Sequence, residues 1–359
     1  MRTLFVFNHP APYKVSVFNE LAKLAKIRVI FERTSAKDRP ASFYANNDYD
    51  FPVLFLKKGY FGNENTSSNE LRTYIKKHHQ QYDAIVMNGY HTIAEMKAIR
   101  YMIKHNIPYI LQINGGVIKK DSYLKKKIKT YFISNASRYF SPCSPADDYL
   151  IHYGAEKEEI VHYPYANYYE SEIIKSPLTD EQKKRIRKKW NLPDGFIFVN
   201  ASQFIERKNN IQLIKLFERR SETLLLIGSG KLKDEYQKII KDKKMNNVIL
   251  MDYKSKSELF EILKACNCFI TLSREDIFGH TTLEAMANGL PTISSDCVVS
   301  SRDNIINGKN GYIIDINDEQ SIIDAINNAN KLSSREAIKM AHKNTIEQSA
   351  KTLYELLRD

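Results

Sequence analysis

Along the chain, short runs of consecutive apolar residues alternate with longer segments whose apolar positions recur every three to four residues. The runs fall at 2–8, 27–32, 84–88, 108–113, 138–142 and 159–163. Each has the length of a strand buried on both faces. Helix-period segments lie between them, for example 15–25 and 92–105. After residue 195 the rhythm restarts, with runs at 196–201, 223–227, 248–251, 268–272, 292–295 and 312–314. Ser255-Lys256-Ser257-Glu258 reads as a capping box that opens a helix toward Cys266. Strands alternating with helices predict mostly parallel sheets covered by helices, so two such series predict an α/β chain of two doubly wound domains. The length of 359 residues agrees with that reading at about 150 residues per domain.

The predicted boundaries are a first domain at 1–165, a linker at 166–195 and a second domain at 196–344. Pro164, Pro177 and Pro193 punctuate the linker, and a very basic helix is expected at 180–190. A last helix at 345–359 carries Ile346, Ala350, Leu353, Tyr354 and Leu357 on one stripe. That stripe has to dock, on its own domain or back on the first. The run Leu4-Phe5-Val6-Phe7 is too short for a signal-peptide core, and no stretch reaches the roughly 18 apolar residues of a membrane span. Cys143, Cys266, Cys268 and Cys297 are scattered without a CxxC pair, which fits a reducing compartment. The expectation is a cytoplasmic protein, soluble or peripheral at the inner face of the plasma membrane.

Composition sharpens this only in part. With 43% hydrophobic and 11% aromatic residues, wholesale disorder is excluded. The formal charge of +12 asks for an anionic partner without naming it. The densest positive stretch is Lys119, Lys120, Lys125, Lys126, Lys127 and Lys129, opposed locally by Asp121. Leu124, Ile128, Tyr131 and Phe132 interleave with it at helical spacing. Two readings stay open: a solvated helix face packed on a core, or a face that docks on anionic lipid head groups at about 1 kcal/mol per basic residue.

The stretch richest in chemistry is Ser273-Arg274-Glu275-Asp276-Ile277-Phe278-Gly279-His280-Thr281-Thr282-Leu283-Glu284-Ala285-Met286-Ala287-Asn288-Gly289-Leu290-Pro291. It follows an apolar run and ends in a helix stopped by Gly-Leu-Pro. Gly279 allows close backbone approach. His280, Thr281 and Thr282 sit where a helix begins, so main-chain N–H groups there point at an anion. Asp276 and Glu284 can share one cleft, and ionised carboxylates accept hydrogen bonds from sugar hydroxyls. This string resembles the E-x7-E region of GT-B glycosyltransferases, particularly the retaining family GT4. One departure is the first acid, which is Asp276, with Glu275 one position early.

Other segments add to the resemblance. Ser202-Gln203-Phe204-Ile205-Glu206-Arg207-Lys208-Asn209 is similar to the family's strand–loop whose cations hold the donor diphosphate, with Gln203 where many relatives carry Arg. Gly228-Ser229-Gly230 matches a family turn and lacks both GxGxxG and the P-loop spacing. By resemblance, the Asp252-Tyr253-Lys254 loop contacts the base. In the first domain, Gln112-Ile113-Asn114-Gly115-Gly116 stands where many relatives place a His, leaving Asn114 and Gly115 as sugar or acceptor contacts. His91 at a strand end reads as structural. Asp48-Tyr49-Asp50 matches the DxD pattern of metal-dependent transferases but reads as chance, and no metal is expected.

The resemblance implies a GT-B fold, two Rossmann-like domains facing across a cleft. It implies a retaining glycosyltransferase moving a hexose-type sugar from a nucleotide diphosphate sugar, UDP above all, to a hydroxyl of a glycan or lipid-linked acceptor in cell-surface polysaccharide synthesis. Asp276, Arg207 and Lys208 are its expected catalytic residues. Glu284, Phe278, Gly279, His280, Thr281, Thr282, Tyr253, Gly228, Asn114 and Gly115 are its expected binding residues. No cofactor beyond the donor is implied. The alternatives are a nucleotide-sugar 2-epimerase of GT-B-like fold, a basic nucleic-acid-binding protein, which no reader helix or RNA motif supports, or an inactive scaffold.

Overall fold

The computed structural model describes residues 1–36, 44, 48–56, 60, 61 and 69–358. The chain divides into two units, one comprising Met1–Asn167 with Thr345–Asp359 and the other Tyr168–Asn344.

The strands of the first unit are β1 (Arg2–Phe7), β2 (Lys26–Phe31), β3 (Ser35–Ala36), β4 (Val53–Phe55), β5 (Tyr60–Phe61), β6 (Ala84–Met87), β7 (Ile110–Gln112), β8 (Arg138–Ser141) and β9 (Ile160–His162). Seven of them form one parallel sheet in the order β4-β2-β1-β6-β7-β8-β9, and β3 pairs with β5. Its helices are α1 (Pro12–Ala22), α2 (Glu70–His78), α3 (Ile93–Lys104), α4 (Tyr123–Ile133) and α5 (Ser144–His152).

The second unit's strands are β10 (Ile197–Ala201), β11 (Thr223–Ile227), β12 (Val248–Met251), β13 (Cys268–Thr271), β14 (Thr292–Ser295) and β15 (Gly311–Ile314). They make a parallel sheet in the order β12-β11-β10-β13-β14-β15. Its helices are α6 (Asp180–Trp190), α7 (Asn210–Leu216), α8 (Lys233–Asp242), α9 (Lys256–Ala265), α10 (His280–Ala287), α11 (Ser301–Asn304), α12 (Glu319–Asn327) and α13 (Ser334–Ala341). The last helix, α14 (Ile346–Arg358), belongs to the first unit. Both units are therefore doubly wound Rossmann-like folds.

Local chemistry explains the elements. Every residue of β10 and of β11 is buried, which is why their sequences are apolar apart from Asn200 and Thr223. α1 starts at Pro12, earlier than the periodicity suggests, because proline at the first turn gives up no needed N–H. Reciprocal capping boxes open α3 at Thr92/Glu95 and α9 at Ser255/Glu258. α6 ends at Asn191, which takes a left-handed φ of 51° two residues before Pro193. The strand β4 was not anticipated. It is a three-residue edge strand, half-buried throughout, too short to write a pattern.

In the second unit, Phe198, Leu224, Leu226 and Ile270 of the sheet pack with Phe204, Phe217 and Ile322. In the first, the Phe5, Phe7, Phe18 and Phe31 rings form a continuous cluster. α14 packs on α1 and buries Ile346, Ala350, Leu353 and Leu357. Its Ser349 hydroxyl donates to the Pro164 carbonyl, and Arg138 donates to the Leu356 carbonyl at 3.1 Å. The final helix is thus part of the first unit's core. Leu353→Ala, at a side chain 1% exposed, should cost about 2–5 kcal/mol of that unit's stability, as read by urea unfolding. A cost below about 0.5 kcal/mol would mean that α14 is not a core element.

Candidate functional site

The strand order of the second unit reverses between β10 and β13. The connection from β10 leads to β11 on one side, while β13, added later, lies on the other. Such a switch point leaves a crevice at the carboxyl ends of the two strands. The loop after β10 carries Arg207 and Lys208, and the loop after β13 carries Asp276. Lys208 Nζ donates to Asp276 Oδ2 across this point, and the pair keeps only 11% and 19% of its side-chain surface exposed. The loops are cross-tied beside it: Arg274 N–H donates to the Arg207 carbonyl at 2.8 Å, and Arg207 Nη1 donates to the Glu275 carbonyl at 3.1 Å. Asn209, at φ 55°, turns the chain directly into α7.

The 276–278 segment is held by a short zipper. Asp276 N–H donates to the Cys297 carbonyl at 3.1 Å, Val299 N–H to the Asp276 carbonyl at 3.2 Å, and Ser300 N–H to the Phe278 carbonyl at 3.0 Å. Gly279 follows at φ 91°, and a Cβ there would lie 2.4 Å from Val298 Cγ1, so no other residue fits. α10 starts at once, so the main-chain N–H groups of its first turn face the crevice rim, a ready anion site. The Thr282 and Ser300 hydroxyls are buried against Gly279 and have no hydrogen-bond partner among the described residues. One turn along α10, Glu284 is buried. Burial and then Glu284's charge push the Tyr168 hydroxyl upward, and that hydroxyl donates to the Ala341 carbonyl at 3.1 Å.

The neighbouring loop fits by close approach. A Cβ on Gly228 would sit 1.9 Å from the Ser202 carbonyl oxygen, and one on Gly230 2.5 Å from the Phe204 carbonyl oxygen. Phe204 N–H donates to the Ser229 carbonyl at 2.8 Å, fixing the loops after β10 and β11 together. After β12, Asp252 is ion-paired with Lys233, which holds its carboxyl below the usual range, and Tyr253 is left 62% exposed. Arg207, Lys208, Gly228, Tyr253, Asp276, Phe278, Gly279, His280, Thr281 and Thr282 thus all follow the carboxyl ends of β10 to β13, with Phe278, Thr282 and Glu284 buried beneath the surface there.

Asn114 and Gly115 belong to the first unit, in a centre that the sequence does not announce. Its sheet order reverses between β1 and β6. Lys14, on α1, donates to Asn88 Oδ1 at 2.9 Å across that switch point. Asn88 and Asn114 exchange amide hydrogen bonds at 3.3 Å. Glu32 accepts from the Thr92 hydroxyl at 2.7 Å, and Glu95 accepts from the N–H groups of His91 and Thr92 at 2.6 and 3.0 Å. Burial pushes Lys14 down to about 7 against the pull of Glu95. Burial, then repulsion from Glu95, pushes Glu32 up to about 8. Glu95 rises to about 7 through burial, opposed by its hydrogen bonds. The only sequence signal was a polar residue ending each of three apolar runs.

The comparisons follow this geometry. The family described as glycosyl transferases group 1 matches residues 182–348. The rim described in the second unit, from Arg207 to Glu284, lies wholly inside that match. An uncharacterised glycosyltransferase of Methanocaldococcus jannaschii is 27% identical over 219 residues, covering 56% of this chain and 52% of that one. The chain therefore spans about half the length of that curated relative. Anabaena HepE, solved in complex with UDP, superposes with a TM-score of 0.79 at 15% identity over 100% of both chains. The lipopolysaccharide outer core galactosyltransferase WaaB does so at 0.73, also with 15% identity and full coverage of both. At such identities the likeness establishes the fold, which is GT-B.

The Glu32 shift carries a pH signature. Folded Glu32 keeps its proton up to about 8, whereas the unfolded carboxyl ionises near 4.5. The folded state then holds the extra proton, so stability falls as pH rises through that window. Glu32→Gln, which mimics the protonated form, should gain stability relative to wild type steadily from pH 5 to pH 8 in thermal melts. A difference that does not change with pH would show that Glu32 is already ionised in the fold.

Proposed function

We infer that this chain is a retaining glycosyltransferase that moves a hexose from a UDP-hexose to a hydroxyl of a glycan or lipid-linked acceptor in surface polysaccharide synthesis. The observation that carries the reading is the Lys208–Asp276 pair at the second unit's switch point, next to the N-terminus of α10. The similarity to HepE, solved with UDP and with UDP-glucose, and to WaaB, named for lipopolysaccharide, supports the donor and acceptor classes.

The roles follow from charge. Glu284 accepts from the ribose hydroxyls. The diphosphate lies on the α10 N–H groups and draws Lys208 and Arg207, whose cations stabilise the charge that grows as it leaves. Drawing Lys208 toward phosphate frees Asp276 to accept from sugar hydroxyls. Tyr253 lies beside the base, and Gly228 lets the loop approach it. The anomeric carbon–oxygen bond to phosphate breaks through an oxocarbenium-like state. The acceptor oxygen bonds on the same face, and its proton passes to the departing phosphate oxygen. Cationic side chains and helix N–H groups supply the charge stabilisation, so the reading is metal-independent. The acceptor belongs at the first unit's switch point, where Asn114, Asn88 and the Gly115 backbone offer donors and acceptors.

The lysine-rich segment fits a membrane-borne acceptor. Tyr123, Leu124, Ile128 and Tyr131 of α4 are exposed, Tyr123 by 83% and Leu124 by 66%. They share that helix and its approach with Lys119, Lys120, Lys125, Lys126 and Lys127. Lys129 is different: it is ion-paired to Asp121 at 2.7 Å and lies over the Tyr153 ring. No helix among the described residues is long or apolar enough to cross a membrane, so the proposed attachment is peripheral, at the cytoplasmic face.

Two measurements test these readings. In calorimetry with UDP-, GDP-, ADP- and CDP-hexoses, the UDP donor should bind tightest. Glu284→Ala should weaken UDP binding by roughly tenfold or more, and Lys208→Ala should lower turnover by about a hundredfold. Unchanged UDP affinity and turnover in both variants would sink the donor assignment. In co-sedimentation with phosphatidylglycerol vesicles, replacing Lys125, Lys126 and Lys127 by Gln should cut binding more than about tenfold. Equal binding by the variant would remove the membrane role.

A further inference from the structure

We propose that the second unit has a separate binding groove for a neutral oligosaccharide, between β15 and α12. The groove encloses about 390 Å³ and is lined by Asn307, Tyr312, Asp318, Gln320, Ser321 and Asp324, among others. Amides, a hydroxyl and carboxylates around an aromatic side chain are what polyhydroxylated chains require: carboxylates accept from hydroxyl pairs, and amides donate and accept at once.

Several observations narrow the occupant. No Lys or Arg lines the groove, in a chain carrying 54 of them and a net +12. Lys331 reaches the groove's edge, where Asn328 Oδ1 accepts from its ammonium at 2.8 Å, while the Asp318 and Asp324 carboxylates of the lining disfavour phosphates, nucleotides and acidic glycans and favour a neutral ligand. A single metal ion is also disfavoured, because no group of three or more His, Cys, Asp or Glu among the described residues is placed to hold one.

An added peptide strand is excluded by the edge itself. β15 is the outer strand, but its Ile313 N–H donates to Asn307 Oδ1 at 2.7 Å, and Gly308 N–H donates to the Gly311 carbonyl at 3.0 Å. The strand's free edge is closed by its own turn, so it offers little ladder for β-addition.

The wall is held in place and partly unspent. Asp318 caps α12, accepting from Ser321 N–H at 3.1 Å through Oδ1. Asp324 Oδ1 accepts from Gln320 Nε2 at 2.8 Å. Each carboxylate keeps its second oxygen for a ligand. Tyr312 is partly buried and packs against the core of the second unit. The lining extends along α12 from Asp318 to Asn328, about 15 Å at roughly 1.5 Å per residue. That takes a short chain rather than a single sugar. The Ile316 carbonyl after β15 accepts from Gln212 of α7 at 3.0 Å, which ties the end of that strand to the helix that follows Lys208.

The test is ligand-observed NMR and calorimetry on the full chain saturated with UDP, which blocks the donor rim. The probes are malto-, cello-, manno- and xylohexaose, with a heparin hexasaccharide as the acidic comparison. At least one neutral hexasaccharide should bind with a Kd of about 1 mM or tighter. Gln320→Ala with Asp324→Ala should weaken it at least tenfold, and Ser321→Trp, which fills the groove, should abolish it. Both variants should keep wild-type melting temperature and UDP affinity. Absence of binding by every neutral probe, tighter binding of the heparin fragment, or unchanged binding in both variants overturns the proposal. The UDP measurement reads the donor site independently, so this groove can fail while the transferase reading stands.

Discussion

Both units depend on one topological constraint: a parallel sheet that grows first to one side of its opening strand and then to the other. Right-handed crossovers place the helices on opposite faces at that reversal, and the carboxyl ends of the two central strands are left uncovered. The reversal falls between β1 and β6 in the first unit and between β10 and β13 in the second. Each crevice is bridged by a buried lysine from beyond its opening strand, Lys14 to Asn88 and Lys208 to Asp276. Burying an ammonium group costs several kcal/mol, and a packed apolar pair in its place is often as stable or more so. Stability therefore does not explain why charge sits at these two points. Such a crevice is where open parallel sheets bind their ligands.

The two crevices differ in how that charge is set. Lys208 faces a carboxylate, so the pair is ionic and exchangeable for a more highly charged anion. Lys14 faces an amide, and its balancing acids, Glu32 and Glu95, are themselves buried and pushed upward. The first unit's centre shares few protons among several groups near neutral pH, whereas the second presents fixed opposite charges. A centre of the first kind suits hydroxyl recognition, and one of the second suits a diphosphate.

Legibility in the sequence tracks this architecture. The twelve anticipated apolar runs all coincide with sheet strands, including the partly exposed edge strands β9, β12 and β15, while the three-residue edge strand β4 does not show. The second unit's rim was legible because 276–284 is contiguous and contains a glycine that the backbone demands. The first unit's centre was not. Lys14, Glu32, Asn88 and Glu95 come from separate connections and become neighbours only through a strand order that no local pattern records. For α4, periodicity gave the helix but not which side is covered: the fold buries Phe132 and Ile133 and leaves Tyr123, Leu124, Ile128 and Tyr131 outside.

Net charge is the coarsest of these signals, and its placement is what carries meaning. Asp121 takes Lys129 into a largely covered pair at 2.7 Å, so that lysine is structural, while Lys125, 3.4 Å from Asp121 and 62% exposed, stays available. The remaining cations stand beside exposed aromatic and aliphatic side chains. That combination suits an interface with both anionic and apolar layers and gains little from nucleic acid, whose affinity comes from phosphate contacts and base-specific readers. The proposed groove on β15 and α12 is the converse case, lined by carboxylates and amides and by no Lys or Arg. In a chain this basic, such a concave surface favours a ligand with hydroxyls and no charge.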